Sequence, residues 1–217
     1  MISESDERLF ERLMHLINTD MQAAVIQSRN LTEEQKVNFQ SFLANRTLHS
    51  ESARYRGRVI EMSIYLEMII ANVLSNYFGK EDKISLLNSM IFDRMDLQRK
   101  LNTFKSILKN QHPAIWRKEN TAIKKIDKLI AFRNNLAHSM LNSTSEYTNK
   151  LKEKMDSMTE QGKIVEKMEE IEFGFYENHQ FVFKPITWEE VNAYHKGIMD
   201  ALKKIEEIAH QIIKDYK

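Results

Sequence analysis

A chain with five glycines and two prolines among 217 residues cannot turn often. Average usage of these two residues over the same length would give roughly 26. Glycine supplies the backbone conformations that tight turns need, and proline pre-sets others. Their scarcity excludes a many-stranded sheet, a glycine-rich phosphate loop and a long flexible linker. A few long helices remain. The length suits one domain with an appendage and is ample for a sizeable core.

Hydrophobic periodicity places those helices. Leu9, Leu13, Leu16 and Ile17 recur at helical spacing over about Ser5–Ile26. A second helix starts near Thr32, where Glu34 and Gln35 favour a helix start, and carries Val37, Phe39, Phe42 and Leu43. Residues 1–50 thus read as a helical extension preceding a bundle over 51–217. The third helix, from about Ser52 to Phe78, is the most apolar. Val59, Ile60, Met62, Ile64, Leu66, Ile69, Ile70, Val73, Leu74 and Tyr77 cover more than one of its faces, which suits a bundle centre or a subunit interface. Gly79 is expected to end it in the left-handed conformation. A fourth helical region covers Lys83–Asn110 with a break near Phe92, and a fifth covers about Pro113–Leu141. The cluster Asn142–Ser145 stops the fifth, and 146–163 read as a solvated helix or a connection.

Then the period changes. Ile171, Phe173 and Phe175 alternate with Glu172 and Gly174, and Phe181 and Phe183 follow after Glu177, Asn178 and His179. This predicts a β-hairpin near 166–184 with a loop of three to five residues, its second strand ended by Pro185. The alternating phenylalanines read as a packed strand face, because base stacking needs exposed rings. Thr187-Trp188-Glu189-Glu190 is a capping box for a last helix over 188–216. The fold class is mainly α, a helical bundle with one appended hairpin.

Several chemistries drop out. Without cysteine there are no disulfides, thiolate metal sites or cysteine nucleophiles. Glu207 and His210 make a single E-x-x-H, whereas a di-iron bundle needs two copies, so neither metal nor cofactor is expected. The acidic start MISESDERLF is no signal peptide, and the apolar runs are interrupted. The expectation is a cytoplasmic protein with no membrane partner. Thirty-two basic against 31 acidic side chains do not announce RNA either.

One stretch, IDKLIAFRNNLAHSM over 126–140, concentrates chemistry. Ile126, Leu129, Ile130, Leu136, Ala137 and Met140 form one apolar stripe, and Arg133 falls at its centre. A guanidinium buried there must meet a carboxylate, carbonyls or an anionic ligand. Asn134 and His138, four apart, are neighbours on one flank. A neutral His138 could take the proton from a ribose 2′-hydroxyl or supply one to the leaving oxygen. Arg133 could hold the scissile phosphate, and Asn134 could orient the imidazole or donate to a phosphate oxygen. One histidine cannot easily serve as both acid and base, so a two-fold dimer would supply the second. The purely structural alternative pairs Arg133 with Glu61 or Glu67 and uses His138 to cap helix carbonyls. A second match in spacing, Arg8 to His15, has no other feature in its favour.

Around Arg133, Asn134, Ala137 and His138 the chain resembles the HEPN superfamily, small helical bundles marked by an R-x4–6-H motif. The resemblance covers mainly residues 50–141 and the last helix. It implies a metal-independent endoribonuclease whose two motifs meet at a homodimer interface, of the kind found in toxin–antitoxin and antiviral defence systems, with an antitoxin or regulatory protein as a further partner. Arg54, Arg56 and Arg58, together with Lys124, Lys125 and Lys128, are the candidate RNA-backbone contacts. The alternative from another class is a non-catalytic scaffold on the same bundle, used for interaction, regulation or nucleotide binding.

Overall fold

The computed structural model describes residues 31–160 and 168–213. The helix expected over Ser5–Ile26, with Arg8 and His15, lies outside the described residues.

The first described helix, α1, runs from Glu33 to Phe78. A capping box starts it: the Gln35 amide donates to Thr32 Oγ1 at 3.3 Å, and the Thr32 amide donates to Gln35 Oε1 at 3.0 Å. The break expected near residue 50 does not occur. Thr47–Ser52 contains neither glycine nor proline, and Thr47, Leu48, Glu51 and Ser52 are buried. Glu51 also accepts from the Met168 amide at 2.8 Å. Packing thus overrides serine and threonine preferences that favour helix ends. By length and composition alone α1 is apolar enough to cross a membrane, and half of its most apolar window is buried within the protein.

Gly79 follows α1, but not in a left-handed conformation. Its need for glycine is spatial. A Cβ there would sit 2.7 Å from the Ser75 carbonyl oxygen and 2.9 Å from Leu87 Cδ1. Beyond it come α2 (Ile84–Met90), a short 3-10 turn over Phe92–Arg94, and α3 (Leu97–Gln111), which Asp96 caps by accepting from the Arg99 amide at 2.8 Å. After His112, α4 spans Pro113–His138 with proline at its first position.

The fifth expected helix ends three residues early. Ser139 turns into extended backbone, and Met140–Leu141 form strand β1. After α5 (Ser145–Glu160), strands β2 (Glu170–Glu177) and β3 (Gln180–Thr187) complete an antiparallel sheet in the order β1-β2-β3. The hairpin connection has two residues rather than three to five. Asn178 and His179 adopt φ of 48° and 65°, the left-handed pair that matches strand twist in a two-residue turn. Nor does Pro185 end β3, which is an edge strand where a missing N–H leaves no ladder bond unmade. The Thr187–Glu190 capping box forms in full and starts α6, Trp188–Ile212.

Contacts divide the chain into two compact units, Leu141–Ile171 grouping with the part of the chain up to Ala53, and Arg54–Met140 grouping with Glu172 onward. In the second unit α3 packs on α4 and α4 on α6. Leu101, Phe104 and Leu108 of α3, Ile123, Ile126 and Ile130 of α4, and Val191, Ile198 and Ile205 of α6 are all buried and make up this core. Val59, Leu66, Ile70 and Leu74 of α1 are fully buried, while Ile64, Tyr65 and Met68 on its other flank are about half exposed.

Candidate functional site

Helix α4 carries Arg133 in a buried row. Ile126, Ile130 and Leu136 are at most 2% exposed, whereas Arg133 itself is half-buried. Its Nη1 donates to Asn134 Oδ1 at 2.9 Å, and its Nε is buried with no hydrogen-bond partner. Neither carboxylate of the structural alternative reaches it. Glu67 pairs with Lys100 at 2.6 Å, and Glu61 with Arg58 at 3.3 Å. Among the described residues Arg133 has no ion pair.

The hydroxyl of Tyr194, from α6, is a second buried polar group at this seam. The ring stacks on Phe132 with centroids 5.3 Å apart. Burial pushes its ionisation well above the ordinary phenol value, while the Arg133 charge and the Ser63 hydroxyl act in the opposite direction. The folded protein therefore keeps this proton at pH values where the unfolded chain, near pH 10, has released it. Stability is fully present below that pH and falls as pH rises through it. Urea unfolding at pH 9 and pH 11 should show an alkaline loss in wild type that shrinks, by up to about 1.4 kcal/mol per pH unit, in Tyr194→Phe. Equal losses in the two proteins would mean that Tyr194 does not contribute.

His138 closes α4 as an exposed side chain that makes no hydrogen bond among the described residues, so it caps no carbonyl. It lines a cleft of about 410 Å³, within the roughly 300–1,000 Å³ usual for ligand sites. One wall is Asn134, Asn135, His138 and Ser139, and the other is the hairpin segment Gly174–Glu177 with Phe181. Asn134 turns its carbonyl oxygen to Arg133 rather than toward the imidazole. Among the described residues its two amide donors are left for a ligand in the cleft. Arg133 stands behind Asn134, outside the lining.

The six expected RNA contacts separate into two groups. Arg54 lies over the Trp188 ring at 3.9 Å. Arg56 donates to the Ser139 carbonyl at 2.7 Å and lies over the Phe173 ring at 5.1 Å, and burial lowers its pKa. Arg58 reaches Glu61 and, at 2.9 Å, His195 Nδ1. The arginines are thus turned to internal partners, and Arg56 ties α1 to the residue after His138. Lys124, Lys125 and Lys128 stand exposed on α4, about 15–21 Å along the helix from His138 at 1.5 Å per residue.

Asn135, Tyr194, Ser63 and the hairpin wall are absent from the sequence reading. Asn135 was legible as the second half of the Asn-Asn pair. Tyr194 and Ser63, some sixty and seventy residues from Arg133, had no local signal. No group of three or more metal-ligating side chains gathers among the described residues. No family model matches the chain, and neither a curated protein nor a solved structure matches it.

Proposed function

We propose that the chain is a metal-independent endoribonuclease built on a HEPN-type bundle and completed by a second copy of itself. The supporting observation is an arginine with no carboxylate partner among the described residues, bonded to an asparagine that shares a cleft with an exposed histidine. A structural arginine in a helix seam would be expected to hold an acidic partner.

In this reading neutral His138 takes the proton from a ribose 2′-hydroxyl, and that oxygen attacks the adjacent phosphorus. The P–O5′ bond breaks, and the protonated His138 of the second copy supplies a proton to the leaving oxygen. The products are a 2′,3′-cyclic phosphate and a 5′-hydroxyl. The Arg133 charge offsets the charge gathering on phosphorus, and Asn134 donates to a phosphate oxygen. The stripe Ile64, Tyr65 and Met68 is the apolar surface that a second copy would cover, one to five residues along α1 from Ser63 at the Tyr194 seam. Control by an antitoxin or regulatory partner in a defence system belongs to the same reading.

The test is incubation of purified protein with total RNA in EDTA, with solution mass measured in parallel. Cleavage with cyclic-phosphate ends and a species of twice the chain mass are expected. Tyr65→Glu should yield monomer and slow cleavage by at least about tenfold, since a charge buried at an interface is strongly unfavourable. Inert wild-type protein would overturn the assignment. The internal engagement of Arg56 and Arg58 favours a second reading, a non-catalytic interaction or regulatory scaffold with a nucleotide-sized cleft. Inert dimer that still binds nucleotide would select it.

A further inference from the structure

The hairpin carries an aromatic ladder that its own packing does not use. A two-residue turn sets Tyr176 opposite Phe181 and Gly174 opposite Phe183, all on one face. Tyr176 and Phe181 meet edge to face with centroids 5.3 Å apart, and Phe181 and Phe183 do so at 5.2 Å. These rings are 81%, 39% and 38% exposed, whereas Phe173 on the opposite face is fully buried. Phe181 lies directly over Gly174. A Cβ at that glycine would fall 2.2 Å from Phe181 Cζ, so the glycine is what lets the ring settle there. The ladder is therefore held in place and still open to solvent.

We propose that Tyr176, Phe181 and Phe183 form a stacking platform for the bases of single-stranded RNA whose backbone enters the His138 cleft. This rests on the ribonuclease reading. Tyr176 and Phe181 line the same cleft as His138, Asn134 and Asn135, so a base on the rings and a phosphate beside the imidazole belong to one strand. Exposed aromatic faces stack any base and so act without sequence preference. The Asn135 amide can meet a base edge as donor or acceptor, while Asn134 is turned to Arg133 by its oxygen. A second copy of the chain is a poor occupant. Three partly exposed rings offer on the order of 300–400 Å², less than half of the roughly 800 Å² per partner that a stable interface takes. The neighbouring Glu177–Lys184 ion pair leaves this end of the hairpin neutral, so stacking rather than charge would hold the bases here.

The experiment measures binding by fluorescence anisotropy with a labelled 2′-O-methyl oligouridylate of twelve nucleotides, which cannot be cleaved. An abasic deoxyribose-phosphate strand of equal length and charge serves as control. Wild type should prefer the strand with bases, and Tyr176→Ala should weaken that binding about tenfold while leaving abasic binding unchanged. Tyr176→Phe should restore it. Gly174→Val, which displaces Phe181, should act like Tyr176→Ala if its melting curve matches wild type. Equal binding by Tyr176→Ala and wild type would overturn the platform even with cleavage intact. A base-dependent difference in a protein that never cleaves would retain the platform and remove the ribonuclease reading. Conversion of a dimer to monomer by Tyr176→Ala would make the ladder a protomer interface and overturn the proposal.

Discussion

His138→Ala is expected to slow RNA cleavage in EDTA by about a hundred- to ten-thousandfold, the range that a positioned general acid or base contributes. Folding should be untouched. The side chain is exposed at the last residue of α4 and makes no hydrogen bond among the described residues, so its loss opens no cavity and orphans no partner. Activity and stability thus separate cleanly at this position. In a site shared between two copies, a dimer with one altered chain retains only one imidazole where acid and base are both needed. Wild-type and His138→Ala chains mixed as heterodimers should then fall well below half of wild-type activity. Heterodimers at half activity would place a complete site in each chain. Full activity in the His138→Ala homodimer would remove His138 from the chemistry.

Arg133→Met should do the opposite to stability. The substitution removes a guanidinium that, among the described residues, has a buried Nε without a partner and one hydrogen bond, to the adjacent Asn134. An unsatisfied buried donor costs about 1–3 kcal/mol, and one hydrogen bond returns about 1 kcal/mol. Methionine fills similar volume without either effect. Urea denaturation should therefore show unchanged stability or a gain of about 1 kcal/mol, and cleavage should fall at least about a hundredfold. A chain that keeps a destabilising charge keeps it for something other than folding. A loss of stability of about 2 kcal/mol or more, with activity retained, would make Arg133 a structural residue.

Much of the architecture was legible locally. The want of glycine and proline announced the long helices. Thr32 with Gln35 and Thr187 with Glu190 marked two helix starts that the structure realises with both reciprocal bonds. Asn134 and His138 were readable as a pair because residues four apart on a helix are neighbours whatever surrounds them, and Arg133 adjoins Asn134 in the chain. The misjudged boundaries have tertiary causes. A separate helix start was expected at about Ser52, but the burial of Thr47, Leu48, Glu51 and Ser52 keeps one helix continuous there. Met140 belonged to the apolar stripe of the expected helix, yet it leaves α4 to pair in a sheet, 63% exposed.

The sequence alone determined the helical class, the hairpin and the gathering of an arginine, an amide and an imidazole, since each follows from spacing within one element. Tertiary structure decided everything that depends on residues far apart in the chain. A turn of two residues set the hairpin register and left Phe181 and Phe183 facing away from buried Phe173. The return of the hairpin to the end of α4 made its strands a wall of the His138 cleft. Packing also engaged Arg54, Arg56 and Arg58 with Trp188, Ser139 and His195, where a basic run would by itself suggest an open surface. Periodicity reports which side chains share a face. It carries no information on which distant element that face will meet, because that choice is made by the burial of whole surfaces.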